Sequence, residues 1–327
     1  MTQPVLGIDI SKATFDVVLL VGEKKIHHQF ANNPEGFKQL NIWLHRNEAS
    51  KVHACMEATG QYGDKLATYL YHGGHDVSVV NPARIKAYAG SRLRRNKTDK
   101  ADAELIAYYC LKENPALWSP PETDFRDLQA IERYLEDQQA MLRQEQNRLE
   151  SGVEAIWVVR ELEKHIQFLK ERIVETKKAM QDLIDTNARM KQQRDLLVTI
   201  PGIGVLTAAK ILGEIRDITQ FESARQLAAY AGVTPRHFVS GSSVHKKSRI
   251  TKTGNINIRR ILYMSAVSAK KYNQIVAPFC LRLLQKGLTP MQVVCAAIHK
   301  LLHLIFGILK TGKAFDPNYL QIPALTP

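Results

Sequence analysis

The stretch VLGIDISKATFDVVLL, residues 5–20, reads as two short strands, and a carboxylate sits inside the first of them. Aspartate is a poor strand residue, yet Asp9 is framed by Ile8 and Ile10. An apolar strand rarely carries a charge without a partner, because a carboxylate removed from water is costly. Asp9 therefore directs attention to other acids along the chain.

The pattern predicts strands near Val5–Ile10, Phe15–Leu20, Lys25–Phe30, Val52–Glu57 and Asp76–Val80. Helices are predicted over Glu35–Arg46, Tyr62–His72, Pro82–Tyr88 and Asp99–Lys112. Three closely spaced strands followed by αβα alternation give a mixed sheet with helices packed on it. Glu57 closes the apolar run VHACME, just before the turn formers Thr59–Gly60. In NKTDKADAELIA, Asp99 and Asp102 stand three apart and so share one helix face. Asp9, Glu57, Asp99 and Asp102 together form an all-oxygen donor set suited to Mg²⁺ or Mn²⁺. Such ions activate a nucleophile and stabilise a leaving oxygen at a phosphodiester. Taken singly, Asp99 also reads as an N-cap with Asp102 reinforcing the first turn, and Glu57 as a strand end.

The 327 residues suffice for two or three domains, read here as 1–118, 119–196 and 197–327. The net charge of +13 is unevenly placed: residues 201–327 hold 17 Lys/Arg against 4 Asp/Glu. That imbalance points to a polyanion such as nucleic acid, since solubilising surfaces mix both signs. No run of about 18 apolar residues and no signal-peptide pattern is seen, so the expectation is a cytoplasmic protein, nucleoid-associated when active, with no membrane partner. Cys55, Cys110, Cys280 and Cys295 are scattered and read as thiols.

Residues 125–196 contain Gly152 as their one glycine and no proline. Leu128, Ile131, Leu135, Gln138, Leu142, Glu145 and Leu149 step by three and four, as do Leu162 through Met190. These are two amphipathic helices with heptad seams, broken near Ser151–Gly152. Two readings fit the polar seam positions: an intramolecular hairpin and a coiled-coil dimer.

Beyond them, LLVTIPGIGVLTAAKILGEI has the form of a helix-hairpin-helix, with Gly202 and Gly204 in a tight turn able to present N–H groups to a phosphate. A plain αα-turn also fits that composition. Residues 197–320 read as mostly helical, with a loop-rich interruption at Val233–Asn257. Within it Ser240, Ser242 and Ser243 flank Gly241, followed by His245, Lys246, Lys247, Arg249, Lys252, Arg259 and Arg260. A serine in a basic pocket can attack a phosphodiester, although SGSS is also turn chemistry. Arg92, Arg94, Arg95 and Lys97, just before Asp99, suit a phosphate backbone.

GIDISK, MEATGQYG and NPARIKAYAGSRLRRNKTDKADAELIA, with the PGIG hairpin, the serine loop and GILKTGKAFDP, resemble the DEDD-type insertion-sequence transposases, the IS-one-ten group, over nearly the whole chain. The resemblance implies a RuvC-like, ribonuclease-H-type amino-terminal domain, its four acids falling on Asp9, Glu57, Asp99 and Asp102. It implies a second, basic transposase domain whose nucleophilic serine falls on Ser240. It further implies a recombinase that excises and inserts its own element, guided by a structured bridge RNA that pairs with donor and target DNA. The serine and the acids would then meet in a composite site of a homo-oligomer, a dimer through the coiled coil and a tetramer on DNA. The alternative is a RuvC-like, metal-dependent junction nuclease in which water attacks. Actin-like sugar kinases open on a similar strand, but their later glycine loops do not follow here.

Overall fold

The computed structural model describes residues 3–58, 61–91, 98–240, 244–251 and 253–318. It divides into two compact units, Met1–Pro120 and Pro121–Pro327.

The first unit is a five-stranded mixed sheet. Strands β1 (Val5–Ile10), β2 (Thr14–Val21) and β3 (Lys24–Ala31) form an antiparallel meander, while β4 (His53–Glu57) and β5 (Asp76–Val80) run parallel to β1. The order is β3-β2-β1-β4-β5, so β1 is central and buried on both faces. Each strand lies within a residue or so of its predicted span.

Helix α1 (Pro34–Arg46) starts where the side chain of Asn33 accepts the Gly36 N–H, with Pro34 in the first turn. It and α2 (Gln61–His72) cover one sheet face, packing Phe37, Leu40, Leu44, Leu66 and Leu70 on Leu6, Ile8, Phe15, Val17 and Leu19. Helix α3 (Pro82–Ser91) and helix α4 (Asp99–Glu113) serve the opposite face. Ala103, Ile106, Ala107 and Cys110 of α4 pack there with Val5, Val18 and Cys55.

Gly7 makes that docking possible. A Cβ at residue 7 would lie 2.2 Å from the Ala103 carbonyl oxygen and 2.3 Å from the Ala107 nitrogen. The helix backbone thus rests on the strand with no side chain between them.

In the second unit, α5 (Thr123–Glu150) and α6 (Ile156–Thr186) form an antiparallel hairpin. Asn187 donates to Asp124 (2.6 Å) at its base, and His165 contacts Glu145 (3.2 Å) nearer its tip. The polar seam residues Gln138 and Glu145 are buried. The intramolecular alternative is therefore realised, and the break falls at Ser151–Gly152 as expected. The second helix ends earlier than the seam implied. Asn187 adopts an extended conformation and its side chain accepts the Met190 N–H, capping a separate helix α7 (Ala188–Val198).

The unit continues through residue 196 without a division. One core joins Leu128 and Ile173 of the hairpin to α8 (Val205–Ile215), α9 (Ala224–Tyr230), α10 (Ile256–Tyr272), α11 (Val276–Gln285) and α12 (Pro290–Thr311). Helix α12 is long and apolar enough to cross a membrane, with mean hydropathy 1.8. Val293, Ala297, Leu301, Leu302 and Ile305 are instead buried in this core.

The interruption expected as loop contains an antiparallel ribbon, β6 (Pro235–Ser240) paired with β7 (Val244–Ile250). Both strands include β-formers, and two such runs close together in sequence pair readily as an antiparallel ribbon.

Gly7→Ala should destabilise the first unit by about 3 kcal/mol, the upper end of overpacking costs, because neither backbone can yield without moving α4. Urea unfolding followed by tryptophan fluorescence checks this; a wild-type midpoint would contradict the close docking.

Candidate active site

Side chains alternate across a strand, and β1 divides its residues accordingly. Leu6 and Ile8 face α1 and α2, whereas Val5, Gly7 and hence Asp9 face α4. On β4, Ala54 and Met56 take the first face, and Cys55 and hence Glu57 take the second. The parallel register pairs Ile8 with Met56, so Asp9 and Glu57 stand at the next step on adjacent strands. Adjacent strands lie about 4.8 Å apart, and both carboxylates are half-buried.

The direction of α4 supplies the other two acids. Gly7 lies against Ala103 and Ala107, while the Cys110 thiol donates to the carbonyl of His53 (3.9 Å), the residue opposite Val5. Moving from Val5 toward Asp9 therefore runs backward along α4, toward its N-terminus. Two strand residues span about 6.6 Å, equal to about four helical residues. That step leads from Ala103 to Asp99, with Asp102 on the same stripe.

Thr98, not Asp99, is the N-cap, accepting the Ala101 N–H (3.2 Å) through its side chain. This replaces the capping alternative for Asp99, whose side chain is exposed; Asp102 is half-buried. All four acids thus occupy one end of one sheet face. An all-carboxylate set of this kind fits a hard divalent cation. The acids are co-facial without being gathered into a cage: among the described residues no group of three or more His, Cys, Asp or Glu is close enough to hold a metal ion.

A further acid in this row escaped the sequence reading. Asp16 of β2 pairs directly with Asp9, and Gln29 of β3 pairs with Asp16. Asp16 is buried and accepts hydrogen bonds from the His27 ring (Nε2, 2.7 Å) and the Gln29 amide (2.8 Å). One rung of the sheet therefore reads Gln29, Asp16, Asp9 and Glu57. The available signal was the one used for Asp9, a carboxylate inside an apolar run, TFDVVLL. Beneath the rung, Cys55 and Cys110 are buried, and the Cys55 thiol is held protonated by its hydrogen bond to Cys110 and by burial.

The basic candidates separate by location. Arg92, Arg94, Arg95, Lys97 and Lys252 lie outside the described residues, as do Ser242 and Ser243. Ser240 ends β6 opposite Val244, and His245, Lys246, Lys247 and Arg249 lie on β7. Arg260 is exposed and 3.8 Å from Glu136. The Arg259 guanidinium is turned inward, donating to the carbonyls of Ala231 (2.7 Å), Asn255 (3.4 Å) and Gly254 (3.5 Å). Through Nη1 it ties Gly254 and Asn255 to the end of α9, and the residue is half-buried.

In the PGIG turn, Gly202 has φ +106°, and a Cβ there would meet the Ser265 carbonyl at 2.9 Å. Its role is close packing on α10. Gly204 caps α8 in open space, with no side-chain cap on that helix N-terminus.

Near the ribbon's base, α5 and α8 bring two buried acids together, Glu132 and Glu214. The Glu132 carboxyl is pushed up to about 8, first by burial and then by the charge of Glu214, with Lys210 opposing. Among the described residues its Oε2 has no hydrogen-bond partner.

Between about pH 4.5 and 8 the folded state holds a proton on Glu132 that the unfolded chain has released, so stability falls as pH rises through that window. Glu132→Gln should flatten this slope and stabilise the protein at pH 8 by on the order of 3 kcal/mol. Thermal unfolding across about pH 5–9, a range centred near the shifted value, measures the effect. An unchanged slope would contradict it.

Comparison with known proteins supplies the family. A family model of the DEDD IS110 type, described as Transposase, matches residues 6–158. A second, described as Transposase IS116/IS110/IS902 family, matches residues 194–280. The "Pilin gene-inverting protein" of Moraxella bovis is 37% identical over 320 residues, covering 97% of this chain and 98% of that one. The "Transposase for insertion sequence element IS1111A" of Coxiella burnetii is 24% identical over 238 residues, 64% of either chain. Among solved structures, T. thermophilus RuvC in complex with Holliday junction substrate is 14% identical, with 36% of this chain and 100% of that one aligned at a TM-score of 0.28. With 37% identity to a relative over nearly the full length and transposase models matching both units, the chain belongs to the IS110 family of transposases.

Proposed function

We propose that this protein is a DNA recombinase that excises and inserts its own insertion element, directed by a structured bridge RNA paired to donor and target DNA. The observation that carries the reading is the placement of Asp9, Glu57, Asp99 and Asp102 at one end of one sheet face, in a chain of this family. The excess of 17 Lys/Arg over 4 Asp/Glu in residues 201–327 supports nucleic acid as partner. Guidance by base pairing relieves the protein of reading many bases, which suits contacts directed at phosphates.

The four acids would hold Mg²⁺ or Mn²⁺, which when bound supplies charge stabilisation at the scissile phosphate and a lowered pKa for an attacking hydroxyl. Ser240 attacks the phosphorus through Oγ. A phosphorus–serine ester bond forms, the bond to the departing deoxyribose oxygen breaks, and the serine proton is lost as that oxygen gains one. A hydroxyl of the partner strand then attacks the phosphoserine, which rejoins DNA and restores the serine. Lys246, Lys247 and Arg249 on β7 supply positive charge beside Ser240 in the sequence. The protein acts as a homo-oligomer, with two dimers holding two DNA sites.

Ser240→Ala should abolish cleavage and covalent attachment, while Asp9→Asn or Glu57→Gln abolish both yet keep DNA binding. Cleavage surviving in Ser240→Ala would instead favour a RuvC-like nuclease that uses water. Protein that neither copurifies with nor requires RNA would remove the guided part.

A further inference from the structure

The Ser240-bearing ribbon leaves β7 at Ile250 and re-enters the helical core through Thr251–Asn255. Several bonds fix that re-entry. The Thr251 N–H donates to the Thr234 carbonyl (3.1 Å), and the Asn255 N–H to the Tyr230 carbonyl (2.7 Å). Gly254, at φ +144°, passes so close to Tyr230 that a Cβ would lie 2.3 Å from its carbonyl oxygen. Asn255 caps α10, its Oδ1 accepting from the N–H groups of Asn257 and Ile258 (2.9 and 3.2 Å).

The Asn255 amide donates to the Tyr230 hydroxyl (3.3 Å) and to one buried side chain, Glu214. Glu214 is 3% exposed, and its two oxygens divide two amides between them. Oε2 accepts from Asn255 Nδ2 (2.6 Å) and Oε1 from Asn257 Nδ2 (3.1 Å). A buried carboxylate is tolerated only where such donors satisfy it, and each amide is in turn oriented by it. The nearby cations have other partners: Lys210 is engaged with Glu136 (3.3 Å), Arg216 with Gln129 (2.7 Å) and Arg259 with carbonyls. Both of these bonds to Glu214 come from asparagines.

We propose that Glu214 is a positioning residue for the strand-exchange reaction: its carboxylate, clamping Asn255 and Asn257, sets the seat of the β6–β7 ribbon and so the place of Ser240. The inference rests on the serine chemistry proposed above, but its structural half is read without DNA.

Reversing donor and acceptor tests the clamp. In Glu214→Gln, one of the two acceptor oxygens becomes an NH2 donor, so the bond from Asn255 or the bond from Asn257 is lost. In Asn255→Asp, a third carboxylate stands beside Glu214 and Glu132, although aspartate caps a helix as well as asparagine does. In the double variant, the new amide Nε2 at position 214 donates to the new carboxylate at position 255, while the amide Oε1 still accepts from Asn257. Hydrogen exchange of peptides spanning residues 235–251 and covalent attachment to DNA are measured in full-length protein.

The expected result is a loss of roughly tenfold or more in ribbon protection and attachment for each single variant. Protection of the α5–α6 hairpin should be unchanged, and the double variant should recover both readouts. If a single variant unfolds, Asn257→Ala, which removes one amide and leaves the α10 cap, should show the partial loss alone. Ribbon protection unaltered in the single variants, or a double variant no better than the worse single, would overturn the proposal. Exchange behaving as expected while wild-type protein never attaches to DNA would leave the clamp standing and remove the serine chemistry.

Discussion

The backbone-to-backbone contact between α4 and β1 at Gly7 fixes the first unit. Because a Cβ there would overlap the helix, α4 sits directly on the central strand and lies antiparallel to it. Orientation and height together place the helix N-terminus over the ends of β1 and β4. Asp99 and Asp102 reach the same end of the same face as Asp9 and Glu57 for that reason. Moving the helix outward by a side-chain layer would separate the two pairs of acids while leaving the sheet unchanged.

The acid-bearing rung shows how a sheet tolerates carboxylates. Asp16 is buried but accepts from His27 and Gln29 on the neighbouring strand, so its oxygens have donors. Like charges repel, and that repulsion is consistent with four acids that share a face yet are not gathered. The second unit meets a related problem by other means. Glu214 is satisfied by two asparagine amides, and burial keeps Glu132 beside it uncharged near neutral pH.

Much of the first unit was legible because its signals are local. Strand alternation and the i, i+3 spacing of Asp99 and Asp102 each depend on a few neighbouring residues. Asp16 was passed over because its significance lies in register, the pairing with Asp9 across two strands. The end of α6 at Asn187 was missed because a polar seam position and a helix cap look alike until the next helix is seen to turn. Charge in sequence does not reveal direction, so the bonds of Arg259 Nη1 to three backbone carbonyls were not legible. Gly202 was legible as a turn residue, but its contact with Ser265 and Ala269 is long-range. The Glu214 clamp joins residues about forty positions apart and leaves no local trace.

The central claim is that a serine of the second unit, and not water, takes up the phosphate that the acids prepare. Trapping the reaction on a nicked DNA substrate, digesting the protein and sequencing the DNA-linked peptide by mass spectrometry tests it directly. The account predicts a phosphodiester-linked peptide with the modification on Ser240. Metal-dependent cleavage that leaves all DNA ends free of protein, or linkage to a different residue, would contradict it.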